Sequence, residues 1–149
     1  MRAVVQRVKS SDVAVDGTIT GSIGMGLTVL LGIEESDNGV DAAYMAEKIT
    51  GLRIFEDEEG KMNLSVLDVG GEILAISQFT LFGDCRKGKR PSFIRAARPE
   101  QADALYREFI LACGKTGIRV AEGVFRAEML VNIANDGPVT IMIDSKKEF

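Results

Sequence analysis

The 149-residue sequence holds no histidine and no tryptophan, two cysteines and three prolines. Without histidine, the commonest general base, the commonest metal ligand and every Ser-His or Cys-His nucleophile pair are excluded, so any catalysis has to use other means. Cys85 and Cys113 lack CxxC spacing, which suggests free thiols in a reducing compartment rather than a disulfide framework or a zinc site. With so little proline, 46% hydrophobic and 27% charged residues, the chain has no linker, low-complexity tract or disordered tail. Its longest apolar run, "LTVLLGI" at 27–33, falls far short of the roughly 20 residues of a membrane helix, and "MRAVVQRV" does not read as a secretory signal. A soluble, cytoplasmic protein without membrane association is expected.

What is present fits one domain, long enough to bury roughly 68–70% of its unfolded surface. Residues 2–9 and 11–15 alternate as strands, Asp16-Gly17 signals a hairpin turn, and "GLTVLLGIE" reads as a buried strand. Ser36 or Asp37 is the expected cap of a first helix with Met45, Ile49 and Leu52 on its apolar face. A strand pair follows around the charged turn "EDEEGK", and Gly70-Gly71 breaks the chain before "EILAIS". Pro99 opens a second helix with Ala102, Leu105, Phe109 and Ala112 inward and Gly114 as its stop. Alternation from Phe125 to Ile133, a turn at "NDGP" and a last strand "VTIMID" complete the chain. The expected fold is α+β: a mostly antiparallel sheet curled toward a barrel, two main helices, one domain over 1–149.

Three features invite chemistry. The glycines of "GSIGMG" do not have the spacing of a dinucleotide loop, and read as a turn or bulge. Ser77 and Thr80, in the strand-borne "ISQFT", are candidate nucleophiles without a histidine to activate them; the bland alternative is that their hydroxyls satisfy backbone groups at a sheet end. Between Gly83 and Arg98 stand Arg86, Lys87, Lys89, Arg90, Arg95 and Arg98 against Asp84 alone, a local balance of +5 in a chain of −4, leaving −9 elsewhere. Such reversal suits a polyanion footprint, with Phe93 as an available stacking ring; a solvated loop is the alternative. The Gly137-Pro138 bond is, on statistics alone, an ordinary trans turn, since only about 5–6% of X-Pro bonds are cis.

"SQFTLFGDCRKGKRPSF" at 77–93 and "NDGPVT" at 135–140, behind the opening "MRAVVQRV", closely resemble the D-aminoacyl-tRNA deacylases, also termed D-tyrosyl-tRNA deacylases, over essentially the whole chain. The resemblance implies a homodimer with shared active sites, in which a cis Gly137-Pro138 of one copy enters the pocket of the other and excludes an L side chain. It implies that the Phe79 backbone, with Ser77 and Gln78 beside it, holds the ester carbonyl and that Thr80 shapes the pocket. Because the ester is already activated, positioning and backbone donors suffice, assisted by the RNA's own 2′-hydroxyl, and Thr80 as a covalent nucleophile ranks second. Arg7 matches the arginine that braces the Gly-Pro segment. Phe125 and Met129 fall where the family lines its adenosine pocket, although periodicity alone makes them core residues. Arg86, Lys87, Lys89 and Arg90 are the expected RNA contacts. Many relatives read Gly-Val-Phe-Gly-Ala-Asp-Met where this chain has "GVFRAEM", so Arg126 and Glu128 depart from the pattern.

The implied activity is hydrolysis of D-aminoacyl-tRNA, and of glycyl-tRNA because glycine has no side chain to exclude, with neither metal nor cofactor. Two alternatives remain at this level: an editor of a small L-aminoacyl-tRNA with a trans Gly-Pro bond, and a non-catalytic nucleic-acid-binding module.

Overall fold

The computed structural model describes all residues, Met1–Phe149. Strands β1 (Arg2–Val15), β2 (Thr18–Ile23) and β3 (Gly26–Gly32) precede helix α1 (Gly39–Thr50). The short pair β4 (Phe55–Glu56) and β5 (Met62–Leu64), strand β6 (Glu72–Ser77) and a 3-10 turn (Phe79–Phe82) follow. Helix α2 (Pro99–Gly114), β7 (Val120–Glu122) and the long β8 (Leu130–Asp144) close the chain. The β1–β2 hairpin turns at Asp16 and Gly17, both at positive φ (49° and 78°), as the Asp-Gly pair demands.

The sheet is mostly antiparallel, as expected, but not purely so: it is mixed. β1 pairs antiparallel with β2, β3 and β8, whereas β6 runs parallel to both β3 and β7. Parallel neighbours need long crossovers, and the two helices supply them: α1 lies between β3 and β6 in the chain, α2 between β6 and β7. The sheet nearly closes, because β2 approaches β7 so tightly that a Cβ on Gly21 would sit 2.5 Å from the Glu122 carbonyl oxygen.

β3 and β6 carry few polar residues because both their faces are covered. Ile73 and Ala75 of β6 join the main core, packed with Met45, Ile49, Leu105 and Phe109 of the helices. Leu74 and Ile76 point the other way, into a smaller cluster with Val8, Val13 and Ile23 inside the curl of the sheet. The run "ILAI" thus serves two cores by alternation.

Three local expectations are corrected. The cap of α1 is Asn38, whose side chain accepts from the Val40 amide while Asp41 accepts from the Asn38 amide; Asp37 is committed to the Glu34 amide instead. Leu52 lies past the helix end at Gly51. "NDGP" is not a turn between strands: β8 continues through it, its Asn135 opposite Val8 and its Thr140 opposite Gln6, so the segment bulges outward opposite Arg7. One strand forms because β1 is long enough to template both halves, just as it merges the two strands expected over residues 2–15.

Candidate active site

The end of β6 opens into a cavity of about 500 Å³. One wall is the strand end itself, Ile76, Ser77 and Gln78, with Phe79 starting the 3-10 turn. A second wall is Ala96, Ala97, Pro99 and Ala102, where small side chains at the start of α2 leave the space open. The third is Phe125, Arg126, Ala127, Met129 and Val131, from the segment joining β7 to β8.

These walls are fixed from behind. Tyr106 of α2 is fully buried, and its hydroxyl donates to the Ala75 carbonyl at 2.8 Å, tying the helix to β6 one residue before the cavity floor. Such a bond contributes about 1 kcal/mol and would cost more if broken in place. The Phe125 ring leans on Tyr106, centroids 6.1 Å apart, so the same residue positions two walls. At the rim, Phe79 meets Phe93 edge to face at 5.2 Å, a geometry worth about 0.5–1.5 kcal/mol beyond its buried area.

Of the thirteen lining residues nine are hydrophobic, and the others are Ser77, Gln78, Pro99 and Arg126. No carboxylate, thiol or amine faces the space, so proton transfer by a side chain of this chain is not provided for there. What the site offers is backbone: the first amides of a helical turn have no acceptor within it, and the turn at Phe79 begins at the cavity edge. Behind the wall, burial pushes the Tyr106 hydroxyl well above its usual value.

The sequence-derived candidates separate into three places. Ser77, Gln78, Phe79, Phe125 and Met129 come together on the cavity walls. Thr80 is exposed and off the wall; its hydroxyl accepts from the Gln78 side-chain amide and so fixes that group. Gly137 and Pro138, joined by a cis peptide, lie exposed on β8 and line no part of their own chain's cavity. Arg7 is buried against them, donating to the Ile54 carbonyl at 2.7 Å and pairing with Asp136 at 3.3 Å. The basic loop stands apart again. Arg86 is bound by Asp84 through two side-chain bonds, which hold that carboxyl far below its usual range, and Arg95 by Glu34 and Glu148, the latter lowered to about 2. Lys87, Lys89 and Arg90 are exposed and enter none of the ion pairs.

Sequence reading missed Tyr106 and the alanine wall. Helical spacing put Leu105 and Phe109 inward, but Tyr106 sits on the neighbouring stripe; the available signal was "RAARP", a run of small residues at a helix start.

Comparison with known proteins follows the same lines. Residues 4–144 match the family described as D-Tyr-tRNA(Tyr) deacylase. D-aminoacyl-tRNA deacylases of Clostridium tetani and Clostridium kluyveri are 65% and 63% identical over 149 residues, covering all of this chain and all of theirs. That of Alkaliphilus metalliredigens is 61% identical at the same coverage. A solved structure named c-Myc DNA Unwinding Element Binding Protein superposes with a TM-score of 0.91 at 45% identity, over 97% of this chain and 98% of that one. Another, of a probable eukaryotic D-amino acid tRNA deacylase, gives 0.82 over 95% and 97% at 17% identity, a likeness of fold.

Proposed function

The chain belongs to the D-Tyr-tRNA(Tyr) deacylase family, and from that premise we propose that it hydrolyses the ester joining a D-amino acid to the 3′ end of tRNA, releasing both. The observation that carries the mechanism is the cavity at Ser77–Phe79: of nucleoside size, apolar except for Ser77, Gln78 and Arg126, and without a carboxylate, thiol or amine. An aminoacyl ester is activated by its adjacent hydroxyl and ammonium groups, so the protein has only to hold it and stabilise the charge that develops on the carbonyl oxygen. Amides at the start of the Phe79 turn, beside Ser77 and Gln78, supply that stabilisation, and a preorganised donor of this kind is worth about 10²–10³ in rate. Water is the nucleophile, assisted by the substrate's 2′-hydroxyl. Phe125 and Met129 hold the terminal adenosine.

Chiral selection comes from a second copy of the chain. Gly137 and Pro138 stand exposed and away from their own cavity, and Arg7 braces the segment from behind, which favours its use in the cavity of a homodimeric partner. There its carbonyls crowd the α-carbon on the side of an L side chain. Glycine escapes exclusion, so glycyl-tRNA is a second substrate. Lys87, Lys89 and Arg90, with Arg86 in a lesser role, attract the RNA, and the cytoplasm is where such a substrate is met.

Release of labelled amino acid from D-tyrosyl-, L-tyrosyl- and glycyl-tRNA tests this reading. Fast release of D-tyrosine and glycine with L-tyrosine spared is the expected result, and release of L-tyrosine at the D rate would refute chiral selection. The unpaired cations of the loop also favour a second reading, a nucleic-acid-binding module without turnover; salt-sensitive binding with no release of any amino acid would establish it instead.

A further inference from the structure

Arg126 is the single charged residue among those lining the cavity. No ion pair or hydrogen bond of the fold engages it, although Glu128 is two residues away and the chain carries an excess of acid. Its backbone adds a second anomaly. Arg126 stands at φ +65° in the turn that the Ala127 amide closes onto the Val124 carbonyl at 3.1 Å, a conformation that glycine adopts freely and a side-chain-bearing residue resists. A left-handed backbone and an exposed, unpaired guanidinium on an otherwise uncharged wall leave Arg126 free to meet a ligand at the cavity mouth.

The contact that a guanidinium matches best is an anion, and the terminal nucleoside of the proposed substrate has one at one end only. Its aminoacyl end carries an α-ammonium, largely protonated at neutral pH, which Arg126 would repel. Its other end is the phosphodiester leading into the terminal nucleoside, for which a guanidinium is the best-matched side chain. We propose that Arg126 binds the phosphate on the 5′ side of the terminal nucleoside and thereby sets the direction in which the ester enters: phosphate toward the β7–β8 turn, carbonyl toward Ser77 and Phe79. This rests on the reading of the cavity as the site of an aminoacylated RNA end. Repulsion of the ammonium and attraction of the phosphate act together, so the reversed orientation is disfavoured twice.

The test uses adenosine and adenosine 5′-monophosphate as probes, the latter presenting a phosphate where the phosphodiester would be, with binding followed by calorimetry. The wild-type protein is expected to prefer the monophosphate by about tenfold, the size of one charge-assisted contact, with the preference shrinking as salt is added. Arg126→Gly relaxes the turn, so it is expected to fold at least as well, and to lose the preference. Arg126→Lys keeps the charge and should retain most of it. A preference undiminished in Arg126→Gly, or absent from the wild type that binds both probes, would overturn the role of Arg126 and leave the hydrolase reading standing. A wild-type protein that binds neither probe would overturn the terminal-nucleoside reading and the proposal with it.

Discussion

The cavity edge at Ser77–Phe79 and the loop from Asp84 to Arg95 adjoin in sequence and differ in almost every physical respect. The edge is uncharged and built from the end of a buried parallel strand and the first turn of a 3-10 helix. The loop is exposed and rich in charge, yet the fold spends Arg86 on Asp84 and Arg95 on Glu34 and Glu148. A free charge is most useful at long range, where it gathers a polyanion, and a fixed dipole at short range, where it meets an oxygen whose charge is only beginning to form. On the proposed reading, the difference separates attraction from chemistry along residues 77–95 of one chain.

If that separation holds, substitutions should sort by region. The largest effect is expected from neither region but from the exposed β8 bulge, which under the proposed function enters the cavity of a second copy. Gly137 adopts φ +114°, and an added Cβ would meet the Val139 side chain at 2.8 Å and the Arg7 guanidinium at 3.0 Å. Gly137→Ala should therefore displace the segment and lower D-aminoacyl ester hydrolysis about 100-fold, the scale of a 1 Å misplacement, while circular dichroism shows a folded chain. A cavity sufficient by itself would be indifferent to this change. Next come the free cations: Lys87→Ala with Lys89→Ala should raise KM for tRNA about tenfold and reduce the salt dependence of binding by roughly 0.7–0.9 per cation removed. The smallest effect belongs to the self-neutralised pair, since Asp84→Asn with Arg86→Gln removes no free charge and should leave the salt slope where it was. Equal slopes for the two double variants would show that the pairing in the loop does not matter to RNA.

The loop was the more legible region in sequence, although the pairing of Arg95 within it was not. Six cations against one acid read as a uniform patch, because their partners Glu34 and Glu148 are distant in sequence and only the fold brings them to Arg95. The cavity edge was legible as an anomaly, a polar trio interrupting an apolar strand, while its role came from resemblance. Helices and strands were read from periodicity and caps, and the crossovers that make β6 parallel on both sides were implicit in the helix positions without being drawn from them. The continuous β8 was hidden by "NDGP", whose turn chemistry is genuine but is overridden by a long template strand. Arg126 was visible as a departure; that it stands alone in charge on the cavity wall, at positive φ, required the structure.

The claim that backbone donors perform the chemistry is tested most directly by comparing Phe79→Pro with Phe79→Ala. Proline is acceptable at the first position of a helical turn, and Gln78 before it is not helical, so Phe79→Pro removes the amide hydrogen with little disturbance of the path. Phe79→Ala loses the ring and keeps the amide. The account predicts that kcat on D-tyrosyl-tRNA falls about 10²–10³-fold in Phe79→Pro and less than tenfold in Phe79→Ala. Equal kcat values in two folded variants would contradict it and return attention to the side chains of Ser77 and Thr80.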